Sequence, residues 1–454
     1  MDSERRIFSP GALAITGRDI VAVGPDAAVT SAVSAERVID AQGAPVHPGF
    51  VETHMHVSHQ LIRSSFDDTI PWESILDVFF NDYWRAIDDE DEFAGSAIGC
   101  LEMVRNGTTC FIEAGSVFEP DTTADAAARV GIRAIIGDGF IWDIGALAEG
   151  DTHLPRSPGS TREAINRLGA QLHRNKDPHA LVRGHLAIWG LGTASDELYS
   201  AAKELARGEQ VVLNAHQSYA RLDADGDRQR LGKSPIVHYE ELGVLDDLTL
   251  LAHANFVDDD EGRVLTSCGT SVAWCPSVTM NWATQGGVLG RHAELYARGC
   301  NVALGSDSSI VGNPLDLTHA CSLGILASRE RTGDRSSLSA ESAFEMATIN
   351  GARAIGLETE VGSLEPGKRA DVVIRNAAMA ELCPDGRIID QLVYAGASRG
   401  VTTVIIDGKV VLEDGSFPHV DEAQLLAQAG QAAKRVFRRM GWTVSGQWPI
   451  ISAS

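Results

Sequence analysis

The chain has 454 residues, 44% of them hydrophobic, and a formal net charge of −24. It is long enough for a large core built as two domains or as one barrel with additions. Its acidity repels phosphate backbones and anionic lipid, so neither nucleic acid nor a membrane surface is an expected partner. No apolar run of about 18 residues is available to span a bilayer, and the opening "MDSERRIFSP" lacks the charged-then-apolar order of a signal peptide. A cytoplasmic location is therefore expected. The seven cysteines are odd in number and form no CxxC pair, the pattern of buried free thiols and not of disulfides or a zinc ribbon.

In chain order, "GALAITGRDIVAVG" and "ERVIDAQG" read as short strands broken by turn residues. From residue 48 onward eight apolar runs recur with helix-length segments between them: "GFVETHMH", "GTTCFIEA", "IRAIIGDGFIW", "LVRGHLAIW", "VVLNAHQ", "LTLLAHANF", "SVAWCPS" and "NVALGSDSS". Runs this uniform suit strands buried on both faces, and intervening segments such as "SDELYSAAKELARGEQ" carry a helical period, so the pattern predicts parallel β/α units. Eight units predict an α/β fold of the (β/α)8 TIM-barrel type over 48–364. "ADVVIRNA" and "VTTVIIDGKVVLEDGSF" then return to short strands. With residues 1–47 they predict a composite small β-sandwich over 1–47 and 365–415. "AQLLAQAGQAAKRVFRRM" reads as a surface helix opening a C-terminal segment, 416–454, whose tail carries no signal. Residues 63–93, rich in aromatics and acids, predict an amphipathic helical cover over the first strand's end. The competing reading makes Phe79, Phe80 and Trp84 an oligomer interface. A homodimer or higher homo-oligomer is the expected assembly.

Catalytic groups of such a barrel sit at the C-terminal ends of its strands. The first run ends in His54-Met55-His56, whose i, i+2 spacing turns both imidazoles to one side. The fifth ends at His216, the sixth at His253 and the eighth at Asp307; Glu113 and His185 are the other polar residues near strand ends. A lone strand histidine is more often a hydrogen-bonded core residue than a ligand, and His185, lying inside its run, reads that way. Four imidazoles and a carboxylate at one end of one barrel are another matter, because neutral imidazole and carboxylate together suit a divalent ion.

These motifs resemble the amidohydrolase superfamily, in particular its aminohydrolase and chlorohydrolase branch acting on triazines, guanine, cytosine and related heterocycles. "VHPGFVETHMH", "MVRNGTTCFIEAG", "LLAHANFVDDDE", "VGSLEPGKRADVVI" and "VTTVIIDGKVVLEDG" are each similar to that branch's patterns, and the likeness covers roughly residues 13 to 415. It implies one divalent metal held by His54, His56, His216 and Asp307, zinc first, with iron or manganese as alternatives. No lysine follows the fourth strand to carry a bridging carbamate, so a mononuclear site is implied. By the resemblance, hydroxide generated at the metal displaces ammonia, an amine or another leaving group from an sp2 carbon of a small nitrogen heterocycle or amidine-like compound. Asp307 takes the water's proton and His253 stabilises the developing charge.

The departures bear on chemistry. Where relatives read HxxE on the fifth strand, this chain has His216-Gln217-Ser218-Tyr219. A tyrosine with a pKa near 10 donates a hydrogen bond at pH 7 but is a poor two-way proton shuttle. Either Tyr219 donates while Asp307 alone moves protons, or another acid serves (Glu113, Asp67, Asp68 or Glu73), or catalysis is lost and the pocket only binds. A non-deaminating displacement such as dechlorination is the alternative within the enzyme class. Gln60, His59, Glu113, Trp189 and Ser308 are the candidate substrate contacts. Trp274 and Trp282 divide evenly between core and pocket.

Overall fold

A computed structural model describes residues 2–144, 156–310, 312–444 and 448. The eight apolar runs form parallel strands at Phe50–Met55, Thr108–Glu113, Arg133–Ile136, Val182–Gly184 with Leu186–Gly190, Leu213–Gln217, Thr249–His253, Ser271–Trp274 and Val302–Leu304. All but the outermost residues of the fourth are buried, as strands covered on both faces must be. Each strand pairs with its neighbours in chain order. The first and eighth meet where Met55 bridges Asp307, whose N–H donates to the His54 carbonyl at 2.9 Å. The result is an α/β fold of parallel strands with helices between them. Side-chain caps start the helices where the loops end: Asp88 opens Asp89–Arg105 with a capping box, and Ser195 accepts from the Leu198 N–H to open Asp196–Glu209.

Two strands are shorter than their apolar runs. The third stops at Ile136 because the chain then turns against the loop after strand two: Phe140 donates to the Gly115 carbonyl at 2.8 Å, and a Cβ on Gly139 would lie 1.8 Å from the Val117 carbonyl oxygen. The fourth is interrupted at His185, whose buried ring lies 2.8 Å from the Glu113 carbonyl and 3.0 Å from that of Leu186.

The flanks give an antiparallel hairpin, Gly11–Thr16 with Asp19–Pro25, and an antiparallel sheet of Val46–Pro48, Val372–Arg375, Val401–Ile406 and Lys409–Leu412. One apolar cluster joins them, with Ile20, Leu13 and Val23 of the hairpin against Val372, Ile405 and Val46 of the sheet. A buried ion pair ties this unit to the barrel: Arg133 on strand three binds both carboxylate oxygens of Asp371, at 3.0 and 3.2 Å, and reaches Asp407 at 3.2 Å.

The cover comprises the helix Trp72–Val78, a wider turn Phe79–Tyr83 and Trp84–Ala86. Phe79 and Trp84, each 3% exposed, pack in one cluster with Trp189, Trp282 and Ile310 and with Ala429, Ala432 and Val436 of the last helix, Glu422–Met440. This corrects the interface reading for those two residues, because their apolar area is already covered within the chain. The Phe80 side chain lies outside the described residues. The last helix lies on the surface, as read, and buries one face through Leu425, Ala429, Ala432 and Val436; the tail beyond 444 is described only at Trp448. Among the described residues no helix is long and apolar enough to cross a membrane.

Candidate active site and metal centre

The strand ends converge as the spacing of the sequence requires. The His54 and His56 Nε2 atoms lie 3.7 and 3.4 Å from the two carboxylate oxygens of Asp307, and His253 Nε2 lies 3.6 Å from Oδ2. His216 Nε2 is 3.4 Å from His56 Nε2. His54, His56 and His216, and likewise His54, His253 and Asp307, each offer one ligand atom within 4.8 Å of the others.

What surrounds these rings decides which nitrogen faces the centre. His56 Nδ1 is 2.7 Å from the Ser116 hydroxyl, and His216 Nδ1 donates to the Trp189 carbonyl at 2.7 Å, so both Nε2 atoms are left facing inward. Both ring nitrogens of buried His54 lack a hydrogen-bond partner among the described residues. Burial, followed by the neighbouring imidazoles, pushes the pKa values of His54 and His56 well below the usual range; burial also takes His216 down to about 4. The rings are therefore neutral and their lone pairs available. Buried, neutral imidazoles with an orphaned nitrogen beside one carboxylate fit a divalent ion.

Asp307 is held at φ 65° and His253 at φ 72°, a left-handed backbone that costs a non-glycine residue roughly 1–3 kcal/mol. In each case the strained turn falls where the strand ends and its side chain enters the site. Burial raises the Asp307 pKa to about 7, with the charge of Glu52 adding to the effect; a cation at the centre would restore the carboxylate.

Glu52 escaped the sequence reading, although a glutamate in an otherwise apolar strand, two residues before His54 and so on the same face, was a usable signal. Fully buried, it accepts from the His54 N–H at 3.1 Å, the Ser306 N–H at 2.9 Å and the Ser306 hydroxyl at 2.6 Å. It thereby clamps strand one to strand eight beneath His54 and Asp307.

The remaining candidates fall into place by their partners. Glu113 does not face the imidazoles directly. Its carboxylate accepts from the Gly115 N–H at 2.7 Å and from the Ser116 hydroxyl at 2.6 Å, and burial lifts its pKa to about 7. The chain Glu113–Ser116–His56 orients the His56 ring. Gln60 donates its amide N–H to the Val57 carbonyl at 2.8 Å and accepts from the Ser309 hydroxyl, which shapes the turn after His56. His59 stacks on His56 with centroids 4.8 Å apart and lies 3.4 Å from the Ser308 hydroxyl; its Nε2 has no partner among the described residues. Trp189 stands 4.7 Å from the His216 ring. Tyr219 packs edge-on against His253 at 4.7 Å, half-buried, its hydroxyl without a hydrogen-bond partner among the described residues. Burial, and then the charge of Asp307, pushes its pKa well above the usual tyrosine value, so it is a donor throughout the physiological range. Trp274 is core: it is 1% exposed and stacks on His292 at 4.5 Å.

Replacing an outer partner of a metal-binding histidine weakens the metal about 10- to 100-fold. Ser116→Ala is accordingly expected to lose metal to a chelator at a concentration 10- to 100-fold lower than the parent requires, with activity returning at saturating metal. Titration with a competing chelator measures this, and an unchanged midpoint would refute the orienting role.

A parallel barrel with imidazoles and one carboxylate gathered at the C-terminal ends of its strands defines a class, the hydrolytic metal barrels. The family follows from likeness. The amidohydrolase family model matches residues 46–411. The 5-methylthioadenosine/S-adenosylhomocysteine deaminase of Moorella thermoacetica is 31% identical over 93% of this chain and 94% of its own. The chain belongs to the amidohydrolase family, in its aminohydrolase and chlorohydrolase branch, and is a hydrolase. An adenosine deaminase from Xanthomonas campestris with bound zinc matches at TM-score 0.85 and 26% identity, covering 94% of each chain. Atrazine chlorohydrolase from Arthrobacter aurescens, complexed with zinc, shares the fold at TM-score 0.85 and 23% identity over 95% of this chain and 97% of its own.

Proposed function

We propose that this chain is a one-metal aminohydrolase in which His54, His56, His216 and Asp307 hold a zinc ion and that it releases ammonia or an amine from an sp2 ring carbon of a purine-type heterocycle. The convergence of the imidazole Nε2 atoms on the Asp307 carboxylate carries this reading. Zinc is preferred because the donors are three nitrogens and one oxygen, and the substrate class because the curated relative acts on adenine nucleosides.

When bound, such an ion supplies a nucleophile at neutral pH by acidifying water. Asp307 accepts the proton of the attacking water and returns it to the leaving amine, so that no other acid has to titrate. His253, beside Asp307, holds the oxygen that adds to the ring carbon. The Tyr219 hydroxyl donates to the ring nitrogen as charge develops there, and Trp189 and His59 supply flat walls for the ring. Glu113, Ser116, Glu52 and Gln60 hold these groups in position. The hairpin and the four-stranded sheet read as one small sandwich bracing the barrel from residues 1–47 and 365–415, with 48–364 as the catalytic barrel.

Tyr219 favours a second reading. Without a carboxylate at that position, a substrate whose leaving group departs unprotonated, such as a chloride, is handled as readily. Adenosine, 5′-methylthioadenosine and a chloro-s-triazine, each offered to the zinc-loaded chain with ammonia and chloride measured, separate the two. Ammonia from the nucleosides supports the first reading; chloride alone selects the second, and neither product from any of the three removes both.

A further inference from the structure

A cavity of about 310 Å³ opens between the cover and the turn after strand seven. Trp72 and Glu73 at the start of the cover helix, Asp68 just before it, and Asn281 and Trp282 after strand seven are among its walls. Two contacts tie it to the reaction centre. The Trp72 ring lies 6.2 Å from Tyr219, which itself packs on His253. On the other side, Asn281 donates to Asn313 at 2.7 Å, and Asn313 donates to the carbonyl of Ser308, the residue after Asp307.

Its chemistry is one-sided. Among the described residues no Lys, Arg or His lines it. Asp68 and Glu73 are both exposed at its rim, and neither has an ion pair or side-chain hydrogen bond among the described residues. Trp282 is only 7% exposed, and its indole N–H has no acceptor among the described residues. Unpaired carboxylates beside two indole rings make a setting for a cation, which gains from opposite charge and from the ring faces. An anion there would meet two like charges with nothing to offset them.

We infer that this cavity receives the part of the substrate remote from the reacting carbon and selects a cationic tail, an ammonium or amidinium, over a carboxylate or phosphate. The inference rests on the proposed aminohydrolase reading and adds the charge class of the substrate to it. Asp68 and Glu73 supply the charge, and Trp72 and Trp282 the apolar walls.

Three probes differing only in the tail test it on the zinc-loaded full chain: 5′-amino-5′-deoxyadenosine, adenosine and adenosine 5′-carboxylic acid. Ammonia release is expected to give the amine a kcat/KM at least about 10-fold above the carboxylate, a margin set by two exposed charges and shrinking in 1 M salt. In the double variant Asp68→Asn, Glu73→Gln the amine-to-carboxylate ratio is expected to fall to about 3 or less. Calorimetry with the same probes reads binding without turnover. Amine bound more tightly than carboxylate, with no ammonia from any probe, removes the deaminase reading and keeps the cavity's selectivity. Equal binding of the three, binding of none, or a preference that survives the double variant overturns the inference.

Discussion

Asp307→Asn is expected to lower turnover by about 10²- to 10⁴-fold, the range of a positioned general base, while leaving a metal-binding oxygen in place. Two features of Asp307 support so large an effect. Its carboxylate is the meeting point of three imidazoles, at 3.4 to 3.7 Å, and its backbone is held at φ 65° in spite of the cost. Asparagine keeps the shape and one acceptor oxygen but cannot take a proton from water. The measurement is kcat beside metal per chain in one preparation: a large fall in kcat with metal retained assigns Asp307 the base role, whereas unchanged kcat would move that role elsewhere.

Tyr219→Phe should be the next largest, about 10²- to 10³-fold in kcat, as for loss of one hydrogen-bond donor aimed at developing charge. KM should move less, because the bond strengthens as the ring nitrogen gains charge and is weak before then. The phenol suits that task and not a shuttle: with its pKa pushed upward by burial and by the charge of Asp307, it keeps its proton. A Tyr219→Phe variant with parental kcat would show that the fifth-strand departure is silent, and the sequence feature that most separates this chain from HxxE relatives would lose its chemical meaning.

Much of the site was legible because strand geometry is periodic. His54 and His56 share a face by i, i+2 spacing, and His216, His253 and Asp307 each stand where an apolar run ends. The first hairpin and the two C-terminal strand segments were legible from Gly and Asp-Gly turns, but "ERVIDAQG" forms no strand, and Val46–Pro48 pairs with the C-terminal sheet in its place. What escaped depends on contacts between distant segments. The Ser306 hydroxyl and N–H define the role of Glu52, and the two lie some 250 residues apart in the chain. Phe79 and Trp84 looked like exposed aromatics until the last helix and Trp282 covered them, and no local pattern encodes that covering. Glu113 passed for a free acid because a strand-end carboxylate looks the same whether it faces substrate or, as here, turns back onto the Gly115 and Ser116 N–H groups.

Metal content shows whether the four side chains hold one catalytic ion. Zinc, iron and manganese are measured per chain after purification without chelator, for the parent and for His216→Ala. A four-ligand site predicts about one divalent ion per parent chain, mostly zinc, with only a trace in the variant, since removing one of four ligands opens it. A parent chain that holds no metal after reconstitution, or a variant that holds as much as the parent, would contradict it.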